Sequence, residues 1–394
     1  MATEQCLGFK SAGIPAGLKK NGAPDLGLIY SETPAAAAAV FTRNLVQAAP
    51  VLLCRQRIQS GRCRAILVNS GNANCCTGPQ GMRDAVAMSA AAAEALGVAE
   101  DQVLVASTGV IGQPLSVTRI EAALPELVQK LAPDGFHLLA RAIMTTDTEP
   151  KLVTRRGAAG GRHYTIVAVA KGAGMIRPDM ATMLCFVCTD AEVSAAVLDR
   201  TLRRAVDVSF NRISIDGDTS TNDTVIVMAN GRSGVCPATA ADEKAFADLL
   251  ADALLELARW MVRDGEGVNK TVEICVQGAR STDEANRVAD TIAHSPLVKT
   301  AFFGQDANWG RILAAAGRAG IPLDPDRLDL YFDEVQMVAD GVGCGPTAEA
   351  RATAVLKQAA FTVTLDLNQG AASARILTCD FSLDYVRINA DYRS

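Results

Sequence analysis

The segment with the most chemical potential in this chain runs Lys171-Gly-Ala-Gly-Met-Ile-Arg-Pro-Asp-Met-Ala-Thr-Met-Leu184. It follows a strand-like run, passes through small residues and a proline, and brings Thr182 to the start of another apolar run. The Thr182 hydroxyl could attack the carbonyl carbon of Ala181 and form an ester by an N→O shift, which water then hydrolyses. The new N-terminal α-amine, with a reference pKa of about 8, can serve as base for its own hydroxyl. The alternative, a plain loop between two strands, is favoured by the local chemistry alone.

An acyl group on Thr182 would need hydrogen-bond donors directed at its oxyanion. Ser107-Thr108-Gly109 follows the predicted strand Val103–Ala106, where a sharply turning chain could direct a hydroxyl and a backbone N–H at one point. A Ser-Thr-Gly turn is common, so this pattern assigns no role by itself.

Composition excludes several classes of function. The chain has 394 residues, 49% hydrophobic and 21% charged, with a net charge of −5, values typical of a globular protein. The negative charge gives no electrostatic support to a nucleic-acid or anionic-membrane partner. No apolar stretch approaches the length of a membrane span, and the N-terminus lacks the order of a signal peptide. We therefore expect a cytoplasmic protein with no membrane or nucleic-acid partner.

Metal-binding patterns are weak. The 11 cysteines are expected to be reduced core residues, including the Cys185/Cys188 pair inside an apolar run. Three carboxylates, Asp216, Asp218 and Asp223, could hold a divalent cation, but turn chemistry explains them equally well. The prediction is that no metal is bound.

Secondary-structure patterns position these residues. Short β-branched runs predict strands at Val103–Ala106, Tyr164–Ala170, Thr182–Cys188, Thr224–Met228 and Val272–Val276. Apolar spacing and caps predict helices at Asp84–Leu96, Ser194–Val206, Asp242–Val262, Thr282–His294 and Trp309–Ala316. Two of the strands follow each other without a helix between them, which favours an α+β fold over a doubly wound sheet.

The C-terminal part has its own pattern. Phe361–Leu367, the turn residues Asn368-Gln-Gly370 and Ala372–Asp380 predict a hairpin with a glycine turn. A charged, polar segment marks a soft domain boundary near residues 279–297.

Eight segments in one order carry a resemblance that covers the whole chain. They are Asn69-Ser-Gly-Asn-Ala-Asn74, Ser107-Thr-Gly-Val-Ile-Gly112, Thr145-Thr-Asp147, Lys171 to Leu184, Arg212 to Asp223, Asp264-Gly-Glu-Gly267, Asn308-Trp-Gly-Arg-Ile312 and Asn389-Ala-Asp-Tyr-Arg-Ser394. The chain resembles the ornithine acetyltransferase family of arginine biosynthesis, also called the bifunctional glutamate N-acetyltransferase family.

The resemblance implies a fold and a maturation step. The implied fold is a layered α/β/β/α-type sandwich of the α+β class, similar to N-terminal-nucleophile hydrolases but differently connected, with a smaller C-terminal α+β lobe. Self-cleavage between Ala181 and Thr182 would leave an α chain, 1–181, and a β chain of the other 213 residues. Residues 182–280 would complete the catalytic core, and 281–394 would form the lobe with the substrate-binding terminus. Two αβ pairs are expected to associate as a heterotetramer.

The resemblance also implies an activity. In a ping-pong transfer, N2-acetylornithine acetylates Thr182, ornithine leaves, and glutamate takes the acetyl group. Some family members also accept acetyl-CoA as donor, and no cofactor is implied.

Site residues carry over position by position. Thr182 matches the nucleophile, and Thr108 and Gly109 match the oxyanion hole. The positions that match substrate-binding residues are Thr145, Lys171, Thr182, Glu266, Asn389 and Ser394. Lys171 suits the carboxylate that both amino-acid substrates carry, and Glu266 suits the side-chain ammonium of ornithine.

Two alternatives remain open at this point. One is an amidohydrolase or aminopeptidase of the same structural group, in which water takes the acyl group. The other is an uncleaved protein that binds a small molecule without catalysis.

Overall fold

The computed structural model describes residues 5–177 and 183–391 of the chain. Contacts within the chain divide the described residues into two units. The first unit contains residues 5–177, 183–211 and 218–261, and the second contains 212–217 and 262–391. In both units helices pack on a β-sheet, so the predicted α+β class is confirmed.

The first unit is built on an eight-stranded sheet. Its strands are β1 (Phe9–Ile14), β2 (Leu26–Phe41), β3 (Arg62–Asn72), β4 (Val103–Val110), β5 (Lys151–Ala159), β6 (Arg162–Lys171), β7 (Leu184–Thr189) and β8 (Thr224–Ala229). Their order is β4-β3-β2-β8-β7-β6-β5, and β1 also pairs with β2. β7 and β8 are buried at every residue, which explains their continuous apolar sequences.

This sheet folds over at β2. The first part of β2 pairs with β1 and β3, and its last residues, Ala36–Phe41, pair with β8. With strands about 4.8 Å apart, β4 and β6 would be separated by roughly 24 Å in a flat sheet. The Lys171 Nζ on β6 is nevertheless 3.2 Å from the Thr108 Oγ1 on β4. The two halves of the sheet therefore face each other, and they share one apolar core.

The ends of two helices of the first unit are explained by capping residues in the sequence. The helices of this unit are α1 (Ala49–Arg57), α2 (Gly78–Leu96), α3 (Val117–Gln129), α4 (Phe136–Ala142), α5 (Ala195–Val208) and α6 (Ala240–Arg263). Ser194 caps α5 as predicted, because its side chain accepts a hydrogen bond from the Val197 N–H. Gly97, whose φ is +65°, caps the C-terminus of α2 as predicted. The helix starts six residues before the predicted Asp84, with a proline in its first turn.

The second unit has a six-stranded sheet in the order β12-β11-β10-β13-β9-β14. The strands are β9 (Thr271–Ala279), β10 (Asp329–Phe332), β11 (Val335–Ala339), β12 (Val342–Gly343), β13 (Ala360–Asp366) and β14 (Ala372–Cys379). The helices are α7 (Thr282–Ala293), α8 (Pro296–Phe303), α9 (Trp309–Gly317), α10 (Pro346–Leu356) and α11 (Leu383–Asp391). The predictions for α7, α9 and β9 are confirmed to within a few residues.

The predicted C-terminal hairpin is wrong. β13 and β14 do not pair with each other, because β9 lies between them, parallel to β13 and antiparallel to β14. The turn passes over the end of β9, where the Gln369 N–H donates to the Gly278 carbonyl at 2.7 Å. A Cβ on Gly278 would lie 2.1 Å from the Asp366 Oδ1, so this crossing requires glycine.

The second unit also extends beyond the predicted lobe. That lobe begins at residue 281, whereas the second unit already contains residues 262–280. The difference arises because β9 pairs with β13 and β14 of the second unit. Separately, no helix within residues 5–177 and 183–391 is long and apolar enough to cross a membrane.

Candidate active site

The end of β6 and the start of β7 flank the segment with the predicted chemistry. Lys171, the last residue of β6, pairs with Leu184, the first residue of β7. Ala181 and Thr182, the predicted scissile pair, lie outside the described residues. Met183 is described, and its N–H donates to the Asp223 Oδ1 at 3.0 Å while its carbonyl accepts from the Thr224 N–H at 3.0 Å. The chain that follows the predicted nucleophile is thus fixed to β8.

Lys171 joins two other predicted site residues. Its side chain is almost completely buried, with the residue 4% exposed. The Lys171 Nζ donates to the Thr145 Oγ1 at 2.7 Å and to the Thr108 Oγ1 at 3.2 Å. β4, β6 and the loop after α4 therefore bring three of the predicted residues to one point.

Gly109 follows Thr108 at a tight backbone contact between β4 and β3. Gly109 pairs with Gly71, and its φ is +128°. A Cβ on Gly109 would lie 2.4 Å from the Gly71 carbonyl carbon and 2.6 Å from the Asn72 nitrogen. Only glycine fits here, because both the conformation and the contact exclude a side chain.

Asparagines hold the turns beside this strand. The Asn222 side-chain amide donates to the Ala73 carbonyl at 2.6 Å and to the Ser107 carbonyl at 2.9 Å. The Ser107 hydroxyl donates to the Asn69 Oδ1 at 2.6 Å. These asparagines belong to segments of the family resemblance, and they stabilise the backbone next to Thr108.

Asp147 is a buried anion whose role the sequence analysis missed. Its Oδ1 accepts hydrogen bonds from the Lys151 Nζ at 2.8 Å and the Gly172 N–H at 2.7 Å, and its Oδ2 accepts from the Thr145 N–H at 3.1 Å. Burial opposes its ionisation, but Lys171 and Lys151 outweigh burial and lower the pKa of Asp147 to about 2. The carboxylate thus fixes the backbone of Gly172, which follows Lys171, and of Thr145, whose hydroxyl accepts a hydrogen bond from Lys171. The available signal was its place in Thr145-Thr-Asp147.

Asp223 is the second missed carboxyl. Burial raises its pKa well above the ordinary value, although the Met183 N–H and Lys171 oppose this shift. Its Oδ2 has no hydrogen-bond partner within the described residues. Asp223 was considered above only as a cation ligand. Among the residues the structure describes, no group of three or more His, Cys, Asp or Glu side chains could hold a metal ion.

Glu266 and Asn389 meet in the second unit. The Asn389 side-chain amide on α11 donates to the Glu266 Oε2 at 2.8 Å. α11 packs closely on the Gly267 backbone, since a Cβ there would lie 2.3 Å from the Tyr385 nitrogen. Ser394 lies outside the described residues.

The cysteines are free. Cys185 and Cys188 are buried on β7, which confirms the prediction for that pair. The prediction that cysteines are core residues is wrong for Cys76, Cys236 and Cys344, which are exposed.

Comparison with known proteins gives a consistent set of matches. Residues 10–394 match the model of the ArgJ family. The arginine biosynthesis bifunctional protein ArgJ of Geobacter sulfurreducens is 56% identical over 389 residues, covering 98% of this chain and 99% of that protein. The protein of the same name from Syntrophotalea carbinolica is 51% identical over 389 residues, with 98% and 99% covered.

A solved structure also matches. It is the crystal structure of arginine biosynthesis bifunctional protein argJ from Bacillus halodurans, 40% identical, with a TM-score of 0.50. The match covers 52% of this chain and 98% of that chain.

Proposed function

The chain belongs to the ArgJ family, and from this premise we propose that it transfers an acetyl group from N2-acetylornithine to glutamate through Thr182. It is an acetyltransferase of arginine biosynthesis. Within the site, the observation that carries the mechanism is the convergence of Thr108 and Thr145 on the buried Lys171 ammonium. That convergence occurs at the strand end from which the chain leads to Thr182.

The first proposed step is self-cleavage. The Thr182 Oγ attacks the Ala181 carbonyl carbon, the C–N bond breaks, and the hydroxyl proton passes to the nitrogen that leaves as an amine. Water then splits the ester into the Ala181 carboxylate and the free threonine hydroxyl. One observation supports the step: the pairing of β6 with β7 holds both flanks of the segment.

The second step is acetyl transfer. The Thr182 α-amine takes the proton of its own hydroxyl, and the oxygen attacks the acetyl carbon of N2-acetylornithine. The amide C–N bond then breaks, the α-ammonium passes the proton to the ornithine nitrogen, and ornithine leaves. The glutamate amine then attacks the acetyl-threonine ester and regenerates the hydroxyl. Thr108 and Gly109 would stabilise the oxyanion in both halves of the reaction. The buried Lys171 would bind the α-carboxylate of both substrates, and Thr145 would orient that ammonium.

Three further residues, Glu266, Asn389 and Ser394, are proposed to bind the substrates. Glu266 would bind the side-chain ammonium of ornithine, with Asn389 orienting its carboxylate, and Ser394 would contribute a hydroxyl. Acetyl-CoA as a second donor, the absence of a metal, and association of two αβ pairs also belong to the proposal.

Thr182→Ala tests the nucleophile. The variant should remain one full-length chain by intact mass and denaturing gel, and transfer should fall at least about 1,000-fold, because both steps need the hydroxyl. Thr182→Ser, which keeps a hydroxyl, is the matched control and should still cleave. Cleavage or normal transfer by Thr182→Ala would refute the assignment.

Glutamate dependence tests the transferase against the hydrolase alternative. N2-acetylornithine should release ornithine in repeated turnover only when glutamate is present. Equal release with and without glutamate would mean that water is the acceptor, and the transferase proposal would fail.

A further inference from the structure

A cleft of about 360 Å³ in the first unit opens beside Thr145. Its polar lining includes Lys19, Asn21, Arg141, Thr145 and Asp147. Thr145 and Asp147 also contact Lys171 and the Gly172 N–H, so the cleft adjoins the proposed substrate-binding residues. Lys19 and Arg141 have no part in the mechanism described above.

The loop that carries Lys19, between β1 and β2, is held by Asp25. This fully buried carboxylate accepts hydrogen bonds from the backbone N–H groups of Ala16, Leu18 and Lys19 at 2.6, 2.6 and 2.7 Å. The aliphatic stem of Lys19 crosses Gly71, where a Cβ would lie 3.1 Å from the Lys19 Cγ. Gly71 is the glycine that pairs with Gly109. Lys19 is therefore positioned by the fold next to the proposed oxyanion hole.

The cleft carries excess positive charge. The Lys19 Nζ donates to the Pro24 carbonyl at 2.8 Å, and within the described residues it has no carboxylate at ion-pair distance. The Arg141 guanidinium likewise has no partner in the described part of the chain. The acidic residue of the cleft, Asp147, already binds Lys151 and the Gly172 N–H. Neither cation of the cleft therefore has a carboxylate at ion-pair distance among the described residues.

Lys19 and Lys171 lie in one electrostatic environment. Burial, reinforced by the charge of Lys171 and opposed by Asp25 and Asp147, lowers the pKa of Lys19 to about 8. A bound carboxylate would compensate for the desolvation of this ammonium.

We infer that Lys19, with Arg141 at the mouth of the cleft, binds the side-chain carboxylate of the acceptor and so selects a dicarboxylic amino acid. The inference rests on the proposed function. The two proposed substrates, N2-acetylornithine and glutamate, are both α-amino-acid derivatives, but their side chains carry opposite charges. A cationic cleft binds the glutamate side chain and does not hold the ornithine side chain, so it contributes to binding in the second half of the reaction.

Lys19→Met is the main test, because it keeps the stem over Gly71 and removes the charge. The KM for glutamate should rise roughly 10- to 100-fold, which corresponds to the loss of one charge-assisted hydrogen bond. The preference for glutamate over glutamine as acceptor should fall by a similar factor. Formation of the acetyl-enzyme from N2-acetylornithine, followed by intact mass, should change less than about twofold.

Three further variants complete the design. Lys19→Arg should restore the preference for glutamate, and Arg141→Gln should raise the glutamate KM several-fold. The matched control is Lys20→Gln, since Lys20 is the exposed neighbour of Lys19 and should behave as wild type.

Two results would overturn the inference. One is an unchanged glutamate preference in Lys19→Met, and the other is an equal loss in both half-reactions, which would mark a structural role only. Failure of the proposed function is distinguishable, because the wild-type chain would then form no acetyl-enzyme from N2-acetylornithine.

Discussion

At the scale of single residues, the site depends on a carboxylate that the proposed chemistry does not consume. Asp147 binds the buried Lys151 ammonium and accepts hydrogen bonds from the backbone N–H groups of Gly172 and Thr145. Its pKa, about 2, lies below the ordinary 3.8, so its ionised form stabilises the fold above a pH of about 4. That contribution is lost as the pH falls from about 4 to about 2.

Asp147→Asn should destabilise the protein by about 3–5 kcal/mol, because the Lys151 ammonium would stay buried without its anion. Urea unfolding measures this best in the Thr182→Ala background, where the chain is expected to stay in one piece. The variant should also lose part of the acid dependence of stability between pH 4 and pH 2.

Asp252→Asn provides the matched control. Asp252 pairs with Arg155, but its side chain is 61% exposed, so its loss should cost no more than about 1 kcal/mol. Equal losses in the two variants would contradict the importance assigned to the buried pair.

At the scale of elements, local patterns predicted single strands and helices but not their neighbours. β6, β7 and β8 have continuous apolar sequences, and α5 has a capping serine, so these elements could be found from the sequence. The predicted hairpin failed because β9, about 90 residues earlier in the chain, lies between β13 and β14. Strand order depends on such distant pairings, which an alternating pattern does not specify.

The prediction of the candidate site from the sequence had the same limit, because contacts between distant residues could not be predicted. The family resemblance predicted Thr108, Thr145 and Lys171 as site residues, but the contact between them depends on the fold of the sheet at β2. Thr108 and Lys171 are 63 residues apart in the chain. The role inferred for Lys19 has no sequence signal, because it rests on the hydrogen bond of its N–H to Asp25 and on the passage of its side chain over Gly71.

Gly109→Ala tests the close approach of β3 and β4. A methyl group at this position would collide with the Gly71 backbone, so we expect a loss of stability of roughly 2 kcal/mol or more and a large loss of transfer activity. Thermal unfolding and the transfer assay measure the two effects.

Gly112→Ala separates the collision from the backbone strain. Gly112 also has a positive φ, +79°, but a Cβ there meets nothing within 4 Å. This control should lose only about 1 kcal/mol. If Gly109→Ala and Gly112→Ala lose the same stability, the contact with Gly71 is not the cause of the loss in Gly109→Ala.

At the scale of the whole molecule, cleavage before Thr182 would separate β6 from β7 covalently but leave them paired. Six residue pairs, from Ile166 with Thr189 to Lys171 with Leu184, join these two buried strands. We expect the α and β chains to elute together in size-exclusion chromatography and to separate only in denaturant. Elution of the two chains as separate species under native conditions would contradict this prediction.

The pairing of β6 with β7 also has a consequence for refolding. In the precursor, the two strands are joined by a short connection, so they can find each other as a local event. After cleavage the same pairing requires an encounter between two molecules, and its rate depends on concentration. A mature enzyme that unfolds would recover slowly in dilute solution. The lifetime of the mature enzyme would then be set by its unfolding rate. Maturation would therefore make the enzyme depend on slow unfolding, because refolding is no longer a local event.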